Sequence, residues 1–211
     1  MKTNKIIEFT GLPNSGKTTL IRRLKEELPK KYGITVQVQR EDAEIVPSEI
    51  PKKTWNRNVW ITFGQLQSIV QAYHSNADIV LLDRGMFDAM FWSKFMLSEN
   101  TANYEQSKAL HDILTLMDKN LKFHPDYLFL IDVSVQESIC RRAQLEGPSV
   151  YSKPDFLNNY KAKFFEVFKN YIVKNEEENT LTPSFYYDTT NMSTNKVFEE
   201  VEKQIIKICN L

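Results

Sequence analysis

The chain has 211 residues, 42% of them hydrophobic, and its 27 Lys+Arg balance its 27 Asp+Glu to a formal net charge of zero. That length suits one domain with a real core, and the hydrophobic fraction excludes a disordered chain. The absent basic excess argues against a protein that grips long nucleic acid by its phosphates, leaving only a local basic groove as a route to it.

In chain order, "NKIIEFT" (4–10) reads as a strand. "GKTTLIRRLKEELPKKYG" (16–33) then reads as a helix, with Leu20, Leu24 and Leu28 on one face and Pro29 with Gly33 punctuating its end. "ITVQVQ" (34–39) alternates apolar and polar, the mark of a half-exposed edge strand. "DIVLLD" (78–83) and "YLFLID" (127–132) are unbroken apolar runs, expected of central strands covered on both faces. "SFYYD" (184–188) is a shorter strand, after a polar surface connection at 174–184. "NKVFEEVEKQIIKI" closes the chain as a helix with Val197, Val201, Ile205 and Ile208 inward. Strands alternating with helices predict an α/β fold with a largely parallel sheet and helices on both faces.

No repeat or boundary divides the chain, so residues 1–211 read as one domain. The N-terminus lacks a signal-peptide pattern, and no run nears the roughly eighteen apolar residues of a membrane span. The expectation is a soluble, cytoplasmic protein without a membrane partner. Cys140 and Cys209 lack metal-site spacing and are expected to be buried, reduced thiols. His74, His111 and His124 show no metal or triad spacing.

"GLPNSGKTT" carries the chemistry. Gly11, four residues, then Gly16, Lys17 and Thr18 form G-x-x-x-x-G-K-T between a strand and a helix, the context that gives the pattern its meaning. Glycines let the backbone wrap a phosphate, and the N–H groups of Asn14, Ser15, Gly16 and Thr19 with the helix N-terminus supply donors and partial positive charge. Lys17 reaches the outer phosphates, and the Thr18 hydroxyl suits Mg²⁺. The expected cofactors are therefore ATP and Mg²⁺.

The same loop serves motors, switches and kinases. A guanine-reading [NT]-K-x-D is missing, since "TNKVF" (194–198) has no Asp, and no D-x-x-G or LSGGQ element is present. Instead "LLDRGMFDAMFW" (81–92) follows the central strand. Asp83 ends an apolar strand and is placed to hold Mg²⁺, while Arg84 points into the same crevice to clamp an anionic acceptor or the transferred phosphoryl group. Asp88, four residues on, is either a substrate contact or an ion-pair partner of Arg84.

"QRED" (39–42) ends the edge strand at the side where open α/β sheets bind ligands. Arg40 adds cationic reach there, and Glu41 or Asp42 would face the acceptor, to take a hydroxyl proton or bind a sugar. Arg141 and Arg142 look like the start of a lid over the phosphates, spanning about 141–154, with Lys153 a further cation and one arginine of the pair expected to be surface charge. "WNRNVWITFGQLQSIVQAYH" (55–74) interleaves Trp55 and Phe63 with Arg57 and Gln65, as reading a nucleobase requires, or is plain core for an amphipathic helix.

Together these motifs resemble the thymidylate kinase and deoxynucleoside kinase group of P-loop phosphotransferases over nearly the whole chain. "RED" (40–42) resembles the Arg-Glu-Pro that ends the second strand of thymidylate kinases, with Asp42 in place of proline. "DRG" (83–85) resembles the Asp-Arg or Glu-Arg pair, "FLNNYKAKFFEV" (156–167) the helix behind the lid, and "YYDTT" (186–190), with Asp188, the strand and loop that cradle adenine. Leu12-Pro13-Asn14 lacks the acidic residue of the thymidylate kinase loop, and Gly85 stands where deoxynucleoside kinases carry serine. The resemblance implies a three-layer P-loop fold, a five-stranded parallel sheet in the order 2-3-1-4-5, and often a homodimer. The reading is ATP-dependent phosphoryl transfer to a small nucleotide-type acceptor, preferably a nucleoside monophosphate. Its competitors are a nucleoside kinase with Glu41 as base, a kinase of a modified base in DNA, and a regulatory module that binds ATP without transferring its phosphate.

Overall fold

A computed structural model describes residues 4–39, 43, 45–52, 54–144, 150–177 and 182–211. Five strands, β1 (Lys5–Thr10), β2 (Val36–Gln39), β3 (Ile79–Asp83), β4 (Tyr127–Asp132) and β5 (Ser184–Asp188), form one sheet in the order β2-β3-β1-β4-β5. Every pairing is parallel. The half-buried β2 lies at an edge, while β3 is buried throughout, as their sequence patterns predict.

Among the described residues seven α-helices connect and cover the strands: α1 (Lys17–Tyr32), α2 (Trp55–Tyr73), α3 (Met86–Ser98), α4 (Tyr104–Thr115), α5 (Val135–Ala143), α6 (Pro154–Glu177) and α7 (Thr194–Cys209). The first helix runs on through Pro29 and ends at Gly33, as the sequence pattern predicts. The proline sits in the last turn, and the N–H of Gly33, in a left-handed conformation, closes the helix on the Pro29 carbonyl. Cys140 is exposed on α5 rather than buried, whereas Cys209 is partly buried.

Strand alternation sends side chains to two cores. Ile7 and Phe9 of β1 pack with Leu20, Leu24, Val201 and Ile205 beneath α1 and α7. Ile6 faces Leu66, Ile69 and Leu114 on the other side. Also on that side, Phe87, Phe91 and Phe95 of α3 pack with Tyr160 and Phe164 of α6. Helix α3 is apolar nearly all round because it is enclosed by α2, α4 and α6. Among the described residues, no helix is long and apolar enough to cross a membrane.

Candidate active site

The phosphate loop takes the path its glycines allow. Gly11 (φ 133°) and Gly16 (φ 94°) both lie at positive φ. At Gly11 a Cβ would stand 2.1 Å from the Ile131 carbonyl oxygen, so the strand-to-loop corner excludes any side chain. Asn14 Nδ2 donates to Ser138 Oγ at 3.3 Å, and Ser138 Oγ donates to the Pro13 carbonyl at 2.9 Å, which laces the loop to α5. The buried Lys17 ammonium donates to the Leu12 carbonyl at 2.7 Å and to Ser15 Oγ at 3.2 Å. This cradle of backbone at the N-terminus of α1 with a buried ammonium inside fits a polyphosphate.

Thr18 Oγ1 donates to Asp83 Oδ2 at 2.6 Å. A hydroxyl and a buried carboxylate brought together beside a phosphate cradle are hard oxygen ligands suited to Mg²⁺. Among the described residues no cluster of three or more His, Cys, Asp or Glu side chains could hold a metal by itself.

Arg84 follows at the strand end with φ 69°, a conformation that costs a non-glycine residue about 1–2 kcal/mol. Its N–H donates to the Phe9 carbonyl at 3.0 Å. Its Nη1 lies 2.5 Å from Asp88 Oδ1 and 3.5 Å from the Tyr160 hydroxyl. Asp88 is thus the ion-pair partner of Arg84, and the pair itself lines the cleft. The Asp88 Oδ2 atom is buried without a hydrogen-bond partner among the described residues.

One cleft of about 830 Å³ joins these groups. At its phosphate end stand Asn14, Gly16, Lys17, Thr18, Thr19, Arg141 and Arg142. Thr54, Arg57, Asn58 and Ile61 of the α2 end form one wall, and Trp92, Phe95 and Met96 of α3 form another. Tyr151 and Phe156, from the lid side, complete the apolar part. Arg57 also ties the entrance together by donating to the Ala43 carbonyl at 3.2 Å.

The two arginines in the last turn of α5 make different contacts. Arg141 donates to the Ser15 carbonyl at 3.2 Å and to the Thr189 carbonyl at 3.0 Å, and pairs with Glu137 at 2.9 Å. It clamps the phosphate loop to the turn after β5. Arg142 lines the same cleft one residue on. Asp188 accepts from the N–H and hydroxyl of Thr190 at 2.9 and 2.5 Å, which shapes that turn and holds its carboxyl below the usual range.

Other expected acceptor residues lie elsewhere. Phe63 is half exposed, and Trp55 packs against the core beside α3. Gln65 is 3% exposed, and neither end of its amide has a hydrogen-bond partner among the described residues. None of these three lines the cleft. Arg40, Glu41 and Asp42 lie outside the described residues. Sequence reasoning missed Trp92, Phe95 and Phe156, whose helical spacing reads as core and which do pack against the core while edging the cleft.

It also missed Glu8. This residue sits between Ile7 and Phe9 in β1 and is fully buried. Its oxygens accept from the N–H groups of Phe87 and Asp88 at 3.1 Å each. Burial outweighs those bonds and pushes its carboxyl up to about 8. Unfolded, the group releases its proton near the ordinary 4.5. The folded state therefore binds the extra proton between those values. The stabilisation this gives is complete below about pH 4.5 and is lost as pH rises through about 8. Glu8→Gln, which cannot titrate, should gain on the wild type by roughly 3 kcal/mol between about pH 5 and about pH 8, measured by urea unfolding. A difference independent of pH would show that the carboxyl ionises normally.

Residues 6–142 match the AAA domain family, a span that runs from β1 through Arg142 and holds the whole phosphate loop with Asp83 and Arg84. The chain belongs to this P-loop family. A probable thymidylate kinase of Sulfurisphaera tokodaii is 28% identical over 174 residues, covering 79% of this chain and 84% of that protein. A probable thymidylate kinase 1 of Saccharolobus solfataricus is 26% identical over 212 residues, covering 97% of this chain and 96% of that one. Among solved structures, deoxyadenosine kinase from M. mycoides with bound dATP superposes with a TM-score of 0.65 at 16% identity, over 96% of this chain and 99% of that one. The five-stranded order 2-3-1-4-5 is thus the P-loop kinase fold, and the thymidylate kinase and deoxynucleoside kinase-like grouping read from the motifs is borne out.

Proposed function

We propose that this protein is a P-loop kinase that transfers the terminal phosphoryl group of ATP to a nucleoside monophosphate. The observation that carries the reading is a single cleft that holds a phosphate cradle at one end and, facing it, a second cationic group at Arg84 and Arg57 beside an apolar wall. One set of groups suits the donor and the other an anionic acceptor with a flat base. The relatives named thymidylate kinase support the same assignment.

The chain's part in the chemistry is alignment and charge placement, since phosphoryl transfer asks little covalent work of a protein. Lys17 and the loop N–H groups hold the outer phosphates. Thr18 and Asp83 would hold Mg²⁺, which when bound offsets phosphate charge. Arg84 and Arg142 flank the position between donor and acceptor. Asp88 and Asn58 line the cleft, and each keeps a buried side-chain atom, Oδ2 and Nδ2, without a partner among the described residues. Trp92 and Phe95 give the base an aromatic wall.

A nucleoside kinase is the second reading. Arg84 of the acceptor half is already paired with Asp88, which reduces the charge left for a substrate phosphate, while Arg57 is held by the neutral Ala43 carbonyl. In that case Glu41 serves as base on a sugar hydroxyl. The test is ADP release from ATP·Mg²⁺ with a panel of nucleosides, their monophosphates and a short oligonucleotide. Stimulation by one monophosphate supports the first reading, and stimulation by a nucleoside alone selects the second. ATP binding with no stimulation favours the regulatory reading over both.

The lid arginines give a sharper expectation. Arg142→Ala should cut acceptor-stimulated turnover about 10²-fold. Arg141→Ala should weaken ATP binding and cost about 1–3 kcal/mol of stability, because it unclamps loop carbonyls that become unpaired. Steady-state kinetics and thermal melts on the two variants would reveal the opposite division of labour if the assignment is reversed.

A further inference from the structure

We infer that Glu8 is a positioning residue for the acceptor half of the site: from inside the sheet it holds the first turn of α3 and so aims Arg84 and Asp88 into the cleft. The inference rests on the kinase reading above. A carboxyl group in the middle of a covered strand is expensive unless polar partners meet it. Here the partners are the two backbone N–H groups at the start of α3. That helix has no side-chain cap of its own, because its N-cap is Gly85. Glu8 supplies the missing acceptors from the neighbouring strand β1. It does so on the N–H groups of the second and third helical residues, the ones an N-cap hydroxyl normally serves.

Gly85 is the other half of the device. A Cβ there would stand 2.9 Å from Glu8 Oε2 and 3.0 Å from its carboxyl carbon. Glu8 and Gly85 therefore require each other: the acid needs the space, and the glycine needs the acid as a cap. The residue before Gly85 is Arg84, held at positive φ. A strained residue keeps its conformation only when its surroundings over-determine it. On one side Arg84 is fixed by its N–H bond to Phe9, and on the other by the anchored turn that begins with Gly85. Glu8 itself does not line the cleft, so it acts through Arg84 and Asp88 and touches no substrate.

The experiment is a double-mutant cycle on the full chain with Glu8→Ala, Gly85→Ser and the pair combined, and Glu8→Gln as the variant that keeps side-chain volume. Each protein is assayed for ATP affinity and for kcat and KM with thymidine monophosphate and, in parallel, deoxyadenosine. Both single changes should lower acceptor kcat/KM about tenfold or more, and ATP affinity should stay within about twofold. Glu8→Gln should fall between wild type and Glu8→Ala, because its amide accepts one N–H and opposes the other. The double variant should recover much of the loss, since the introduced serine gains both room and a capping role. Additive losses would overturn the inference, as would Glu8 variants with unchanged acceptor kinetics. Equal losses of ATP and acceptor affinity would show a general structural role and overturn it too. A wild type idle on both acceptors would instead count against the kinase reading beneath it.

Discussion

Lys17→Ala should lower acceptor-stimulated ADP release by roughly 10³-fold while the protein stays folded. The Lys17 ammonium is nearly buried, held by loop carbonyls at 2.7 and 3.3 Å and by a hydroxyl at 3.2 Å. The Leu12 and Gly11 carbonyls and the Ser15 hydroxyl locate the ammonium inside the cradle, where an anion would be received. Removing that group deletes charge at the point where phosphate charge must be matched, in a water-poor site where such matching is worth most. The fold should survive because the packing of α1 depends on Leu20, Ile21, Leu24 and Leu28, on which Lys17 has no bearing. Lys17→Met, which keeps the aliphatic stem, separates loss of charge from loss of packing. Near-normal turnover by either folded variant would sink the assignment of the loop.

Replacing Arg84 should separate charge from geometry. Arg84→Lys keeps a cation opposite Asp88, but a lysine is a point charge and lacks the planar fork. It can satisfy Asp88 or reach the acceptor, and the expected result is turnover about 10²–10³-fold lower with only a small change in melting temperature. Arg84→Ala should be as inactive and clearly less stable. It leaves the Asp88 carboxylate unpaired in a position where the two side chains are 9% and 1% exposed, and breaking a buried pair costs about 3 kcal/mol or more. Turnover with thermal melts decides the matter. An Arg84→Lys protein that works like wild type would reduce Arg84 to a structural partner of Asp88.

The donor half of this protein was legible from the chain because phosphate recognition is local. It uses consecutive backbone N–H groups, two glycines, a lysine and the start of the following helix, all within the one stretch "GLPNSGKTT". The strand runs were equally plain, since a strand covered on both faces reads as an unbroken apolar stretch, and Asp83 and Arg84 were found by standing at the end of one. The sequence by itself therefore determined the phosphate-loop motif, the residues that form it and the kind of sheet that carries it.

Only the tertiary structure decided what faces those phosphates. The acceptor wall combines α2, α3 and the lid side, and a helix shows the cleft one stripe of its surface. On α2 that stripe is Thr54, Arg57, Asn58 and Ile61; Trp55 and Phe63 turn away from it, while Gln65, on the same face one turn further along, is buried beyond the cleft. On α3 the aromatic spacing is the same for core and cleft, and only the partner helices separate them. The roles of Arg141 and Arg142, adjacent in the chain, diverge because successive helical residues point about 100° apart. Glu8 was hidden for the most basic reason: an acid in a strand has no meaning until the turn that it caps is folded against it.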